Sequence, residues 1–310
     1  MRFTFCFLLI AFFFAKPVHA QPGADIKKLD SAFTLLYNTS RFNGTLLYAE
    51  KGMILYEKAF GIADHRTNEP LTAHSSFNLA SVTKQFVCMC IMMLKEKGLL
   101  QYDDDCKKYI PELPYDGISI RNLMTHTSGI PEYFDLFQLY KSPLDTLSNE
   151  KMIQLFAVHK PVLDFPTGTH WNYCNTNYLL LASIIERVSQ QTMDVFVKNN
   201  ITVPLKMSDT YIYHVLMPSI PANHVYGFEE TGEKKVLDDL TPFDGVVGDG
   251  NLYSSVEDLY KWEQSLYTEK LVKKATLAEA FKPVQLKDGT AYPYGFGWGI
   301  DSDTLQQYAH

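Results

Sequence analysis

In the stretch NLASVTKQFVCMCIMMLKEKGLL, residues 78–100, Ser81 and Lys84 stand three positions apart, a spacing that puts two side chains on one face of a helix. A serine hydroxyl is a latent nucleophile and a lysine amine a latent base. The residues that follow bear on whether the pair reacts. Phe86 to Leu94 is an unbroken apolar run, apolar on every face, so the predicted helix is buried rather than laid on a surface. It is too short for a bilayer span, which needs about 20 residues, and Lys95, Glu96, Lys97 and Gly98 close it. Burial disfavours a charged ammonium, so a lysine at the mouth of such a helix can be neutral enough to take the serine proton. The same spacing also fits a capping serine followed by a surface lysine. It recurs at Ser148 and Lys151, where Asn149 and Glu150 are polar and a capped, solvated helix start is expected.

A second group of reactive side chains lies in HWNYCNTNYLLLASIIERV. Tyr173 and Asn175 precede a strongly apolar helix and form the chain's single Y-x-N. A phenol can carry a proton between serine and a leaving group, and an asparagine amide can hold a carbonyl and an N–H of a bound substrate. A turn with a capping asparagine is the plainer reading of the same residues. His126, in THTSGIPEY, reads as structural, and Asp103 to Asp105 as a solvated loop. Asp244, Asp249 and Asn251 lack calcium-loop spacing, and their glycines fit a tight crossing loop. The chain contains no G-x-S-x-G, no H-E-x-x-H, no C-x-x-C and no phosphate-binding G-x-x-x-x-G-K. No metal or cofactor is implied.

Elements that could position these residues can be read from periodicity. Residues 24–38 have helical spacing, and Thr45–Glu50 and Met53–Gly61 read as two strands of a hairpin. From Ser81 to about Phe281 nearly every long segment reads as helix: 81–97, 120–125, 149–158, 177–190, 193–201, 256–267 and 272–281, with a capping box from Ser254 to Glu257. Residues 291–310 return to glycine-spaced aromatics of strand character. This order implies an α+β fold in which a helical lobe, about 81–281, is inserted into a sheet whose remaining strands are expected beyond His310.

The opening residues, with Arg2, an apolar run from Phe3 to Ala15 and small residues up to Ala20, read as a secretory signal peptide over 1–20, a transmembrane anchor being the alternative. The remaining residues, 21–310, read as one domain, incomplete at its C-terminal end and periplasmic or secreted, with no integral membrane segment once the leader is removed. The chain has 28 basic and 35 acidic residues, a formal net charge of −7, and no basic patch, which argues against a nucleic-acid partner. Beyond the leader the cysteines are Cys88, Cys90, Cys106 and Cys174. They read as mostly free, with any bridge from Cys106 left open.

Taken together, FNLASVTKQF, LMTHTSGIPEY, NYCNTNYLLLASIIE, GVVGDGNLYSSVEDLYKW and YGFGWGI resemble, in order, the serine β-lactamase and penicillin-binding-protein superfamily, in its class C-like branch of beta-lactamase-related serine hydrolases. The resemblance runs from about Leu29 to His310. It implies a helical lobe beside an antiparallel sheet flanked by terminal helices, with Ser81 as acylated nucleophile, Lys84 as its base partner, and Tyr173 and Asn175 as the second motif. His310 resembles the first residue of H-x-G, which in this branch can replace K-T-G on a strand facing the serine, and would contact substrate there. The implied activity is hydrolysis of a small ester, peptide or peptidoglycan-derived amide through an acyl-enzyme. With a histidine in place of the lysine, esters or neutral-ended peptides are expected to be preferred over β-lactams. The alternative is a non-catalytic homologue that binds peptides or cell-wall fragments.

Overall fold

The structure, a computed structural model, describes residues 23–140, 147–215, 217–232, 234–239 and 241–300. Two units separate along the chain, residues 1–42 and 43–310. In the first, helix α1 (Gly23–Asn38) ends where Arg41 N–H turns back to the Leu36 carbonyl, and Phe33 meets Phe42 edge-on at 4.9 Å.

The second unit opens with the predicted hairpin, β1 (Gly44–Glu50) against β2 (Met53–Phe60), antiparallel with an irregularity at Tyr48/Ala49. Lys51 and Gly52 both have positive φ, +52° and +76°, the two-residue turn whose twist suits a tight hairpin.

Helix α2 (Thr83–Glu96) is buried on every face, as its sequence predicts: each residue from Thr83 to Leu94 except Gln85 is buried. Phe86 stacks on Trp262 at 4.0 Å, and the helix packs against the equally buried middle of α6 (Asn175–Ser189). Around this pair lie α3 (Ile120–Met124), α4 (Tyr133–Tyr140) and α5 (Asn149–His159).

The fold is α+β, and its strands form small antiparallel sheets. One matters for the site. Phe77–Asn78 and Tyr211–Ile212 flank Leu252–Ser254, so the residues just before Ser81 are sewn to the strand that follows Asp249. A hairpin at Phe228–Thr231 and Lys234–Leu237 interrupts the range read as helical lobe. Helix α4 falls in a stretch the sequence reading passed over. The helix at Val256–Ser265 is capped by Ser255, whose hydroxyl accepts from Asp258 N–H, rather than by Ser254, which is occupied in the strand. Cys88, Cys90, Cys106 and Cys174 are buried and free.

Candidate active site

The turn that carries Ser81 is held from both sides. Leu79 N–H donates to the Leu252 carbonyl (2.8 Å), and Leu252 N–H donates to Thr83 Oγ1 (3.2 Å). Between these ties Asn78 Oδ1 accepts from Ala80 N–H (2.8 Å), and Ala80 takes a left-handed φ of +45°, a conformation that costs a residue with a Cβ on the order of 1–3 kcal/mol. A single 3-10 turn, Ala80–Val82, then runs into α2. Ser81 is exposed at its start, where a backbone N–H has no intrahelical acceptor.

Lys84 rises beneath it, only 1% exposed. Its Nζ donates to Ser81 Oγ (3.1 Å), Asn175 Oδ1 (2.9 Å) and the Asp249 carbonyl (2.8 Å). The Tyr173 hydroxyl donates to Ser81 Oγ at 2.5 Å, and the Lys84 Nζ lies 4.8 Å from the Tyr173 ring centre. Lys84 and Tyr173 therefore converge on Ser81 Oγ, and Asn175 joins the group through Lys84 Nζ.

Each acceptor around Lys84 is fixed by residues behind it. Asn175 is the first residue of α6, with Cys174 at the cap position, so it does not cap. Its N–H (2.8 Å) and Nδ2 (3.0 Å) both donate to Glu132 Oε2. A carboxylate there can only accept, which turns Oδ1 toward Lys84 and leaves one amide N–H for a substrate. The Asp249 carbonyl is delivered by a loop that crosses α6. Gly248 has φ +111° and lies so close to the Tyr178 carbonyl and Ala182 that a Cβ would collide with them. Tyr133 O–H donates to Asp249 Oδ2 (2.9 Å). Buried Asn149 clamps the same loop: Oδ1 accepts from Val247 N–H (2.9 Å), while Nδ2 donates to the carbonyls of Val247 (2.9 Å) and Leu179 (3.1 Å).

Two half-buried acids therefore stand behind the lysine. Burial raises the Glu132 carboxyl above its usual range, with the two donors of Asn175 pulling it back. Burial likewise raises Asp249, and the nearby Lys84 works against that shift. His126 is fully buried and pushed down to about 3, by burial first and by the Lys84 charge second, so its ring is neutral.

Ser148 Oγ caps α5 by accepting from Lys151 N–H (3.2 Å). The helix start there is not solvated as expected, because Asn149 is buried in its clamp. Glu132, Asn149 and the Asp249 carbonyl were not foreseen as parts of the site. Glu132 sits in the PEY that follows the T-S-G turn, and the G-D-G around Asp249 marked a tight crossing without saying what it crossed. His310 and residues 1–20, expected to be a leader, lie outside the described residues. Among the described residues no cluster of His, Cys, Asp and Glu could hold a metal, and no helix is long and apolar enough to cross a membrane.

A family model described as Beta-lactamase matches residues 33–310. A penicillin-binding protein of Bacillus subtilis (strain 168) is 36% identical over 286 residues, covering 89% of this chain and 63% of that protein. A D-aminopeptidase of Brucella anthropi is 26% identical over 264 residues, covering 83% of this chain and 48% of that enzyme. The chain thus spans about half to two thirds of the length of these curated relatives. Among solved structures, an octameric penicillin-binding protein homologue from Pyrococcus abyssi superposes with a TM-score of 0.72 at 26% identity, covering 88% of this chain and 64% of that one.

Proposed function

The chain belongs to the beta-lactamase family, and from that premise we propose that it is an exported serine hydrolase that cleaves ester or amide bonds through an acyl-enzyme on Ser81. One observation carries the reading. Of the three acceptors around Lys84 Nζ, the Asn175 amide oxygen and the Asp249 carbonyl can only accept. A neutral lysine has two N–H bonds and one lone pair. With both N–H bonds held by those oxygens, the lone pair faces Ser81 Oγ at 3.1 Å.

In that form Lys84 takes the hydroxyl proton while Oγ bonds to the substrate carbonyl carbon. The negative oxygen that develops is met by the free N–H of Ser81. As the bond to the leaving group breaks, the Tyr173 hydroxyl, already touching Oγ, passes its proton to the leaving nitrogen or oxygen, and the protonated lysine sits beside the phenol to replace it. Water then repeats the sequence on the acyl-enzyme. Asn175 holds the lysine and offers its remaining amide N–H to the substrate. The D-aminopeptidase relative supports small peptides or amides as the substrate class. A histidine at 310 in place of a lysine lacks a permanent positive charge and so favours esters and neutral-ended peptides over β-lactams, since a bound carboxylate would lose a charge-assisted bond worth about 1.5–3 kcal/mol. The leader, Met1 to Ala20, directs the enzyme to the periplasm or the medium.

The test is paired. A fluorophosphonate should label Ser81, and the labelled protein should turn over neither a p-nitrophenyl ester nor a D-amino-acid amide. Stoichiometric labelling at another serine, or esterase activity that survives full labelling, refutes the assignment.

A further inference from the structure

We propose that His126 is a positioning residue for Tyr173: it fastens the backbone on both sides of the tyrosine and supports the ring itself. The proposal rests on Tyr173 as the proton carrier, and the experiment below separates the two. Asn172 N–H donates to the His126 carbonyl (3.0 Å) and Cys174 N–H donates to His126 Nδ1 (3.1 Å). One residue therefore holds the Trp171–Asn172 peptide unit ahead of Tyr173 and the Tyr173–Cys174 unit that directly follows it. The imidazole also packs on the phenol, with ring centres 4.4 Å apart at 34°, and is braced from elsewhere by the rings of Tyr178 and Tyr294, each at 5.0 Å.

The tautomer follows from the neighbours. Ser128 Oγ donates to Asn177 Oδ1 (2.6 Å), which turns Asn177 Nδ2 toward His126 Nδ1 (3.3 Å). Two donors therefore converge on Nδ1, so it is an acceptor and the ring proton is on Nε2. That Nε2 is buried with no hydrogen-bond acceptor among the described residues, an arrangement that costs on the order of 1–3 kcal/mol. The backbone adds to the demand: His126 has a left-handed φ of +58°, a region that asparagine, aspartate and histidine enter more readily than other side chains. A neutral acceptor, a flat ring and a left-handed backbone are thus required at one position, and all three requirements point at Tyr173.

Two substitutions separate these requirements. His126→Phe keeps a ring and removes the acceptor; His126→Asn keeps an acceptor close to the place of Nδ1 and suits the left-handed backbone. The readout is kcat/KM for a p-nitrophenyl ester and an alkyl amide of the same acyl group, because p-nitrophenolate leaves without a proton and an amine does not. General acid catalysis is worth about 10²- to 10⁴-fold. Tyr173→Phe is therefore expected to lower amide turnover by that much, and ester turnover far less. His126→Phe should follow it, with the amide falling at least about tenfold further than the ester, as a misplaced proton donor predicts. His126→Asn should bring the ester-to-amide ratio back to within about threefold of wild type. Equal losses on both substrates in His126→Phe, or no recovery in His126→Asn, overturn the proposal. Crystal structures of the two variants decide the matter independently of what Tyr173 does. The Tyr173 hydroxyl should lie beyond about 3.5 Å from Ser81 Oγ in His126→Phe and within it in His126→Asn; an unmoved tyrosine in His126→Phe refutes positioning. If Tyr173→Phe itself slows both substrates alike, the proton-carrier role fails, and the crystal structures alone judge His126.

Discussion

The chain contains S-x-x-K at the start of two helices, and the two do different things. At α2 the serine lies in a 3-10 turn with helical backbone, no cap bond uses its hydroxyl, and the lysine side chain reaches it from a fully buried position. At α5 the serine is extended, φ −147° and ψ 163°, and its hydroxyl accepts the backbone N–H of the lysine rather than its amine. One pattern is a side-chain pair and the other a cap. A hydroxyl engaged by N3 of its own helix is unavailable to the side chain three residues on. Ahead of Ser81, the strand contact and the left-handed Ala80 lead the chain into the 3-10 turn that carries the serine. Among the described residues, the second start still serves the first, because Asn149, next to the cap, holds the loop whose Asp249 carbonyl binds Lys84.

The sharpest way to break this contrast is to remove each functional group of the reactive pair. Ser81→Ala should reduce turnover to the uncatalysed background and abolish fluorophosphonate labelling, measured by intact mass. Lys84→Arg keeps the charge but cannot accept the serine proton, so kcat/KM should fall about 10²- to 10⁴-fold, the usual worth of a general base, with the melting temperature measured alongside. Activity within tenfold of wild type would mean the lysine serves only through its charge.

Much of the reactive region was readable because its signals are local. Three contiguous features, the apolar run after Lys84, the Y-x-N that leads into α6 and the hairpin, each depend on near neighbours in sequence. What was not readable depends on distant partners. Glu132 acts on Asn175 across the helical lobe, and no spacing rule links a loop carboxylate to an amide that far away. Asp249 contributes a backbone carbonyl, which its side-chain identity cannot announce. Asn149 reads as polar and therefore solvated, yet it is buried because three backbone groups converge on its amide. Helix α4 was missed because YFDLFQLY is only two turns long and dense in aromatic and apolar residues, Asp135 and Gln138 being its only polar ones, and so short an apolar run does not separate a helix from a strand.

That hidden clamp gives the next prediction. Asn149→Ala removes the partner of the half-buried Val247 N–H and carbonyl, while the Leu179 carbonyl keeps the Ser183 hydroxyl (3.0 Å), and each group left unpaired costs about 1–3 kcal/mol. Stability to urea should drop by a few kcal/mol (about 2–4), and kcat/KM should fall even in the fraction that stays folded, since the loop holding Asp249 loses its register. Unchanged turnover per labelled site would detach α5 from the chemistry.

A smaller effect appears with pH. The folded value of His126 is lowered to about 3 from the ordinary 6.5, so between those limits the unfolded chain binds a proton that the folded chain refuses. Stability is therefore retained above pH 6.5 and lost as the pH falls through that window, by about 2 kcal/mol from this residue at pH 5. Urea midpoints of wild type and His126→Asn at pH 7 and pH 5 isolate it. The variant should show a shallower decline, and parallel declines would assign the acid sensitivity elsewhere.

The smallest effect tests the cap itself. Ser148→Ala deletes the hydroxyl that accepts Lys151 N–H, and loss of a serine cap costs about 1 kcal/mol, typically within 0.5–2. The neighbouring Asn149 clamp does not use that hydroxyl, so the loop over Lys84 should keep its place and fluorophosphonate labelling should proceed at the wild-type rate. Ser148→Asp should restore the lost stability, because a carboxylate accepts the same N–H and also sits favourably at the positive end of the helix. Thermal melts of the two variants, read beside their labelling rates, give the comparison. One serine-to-alanine change should then remove activity and leave the fold, while the other lowers the melting temperature and leaves activity. A labelling rate that falls in Ser148→Ala and recovers in Ser148→Asp would show that the cap, and not only Asn149, sets the geometry around Lys84.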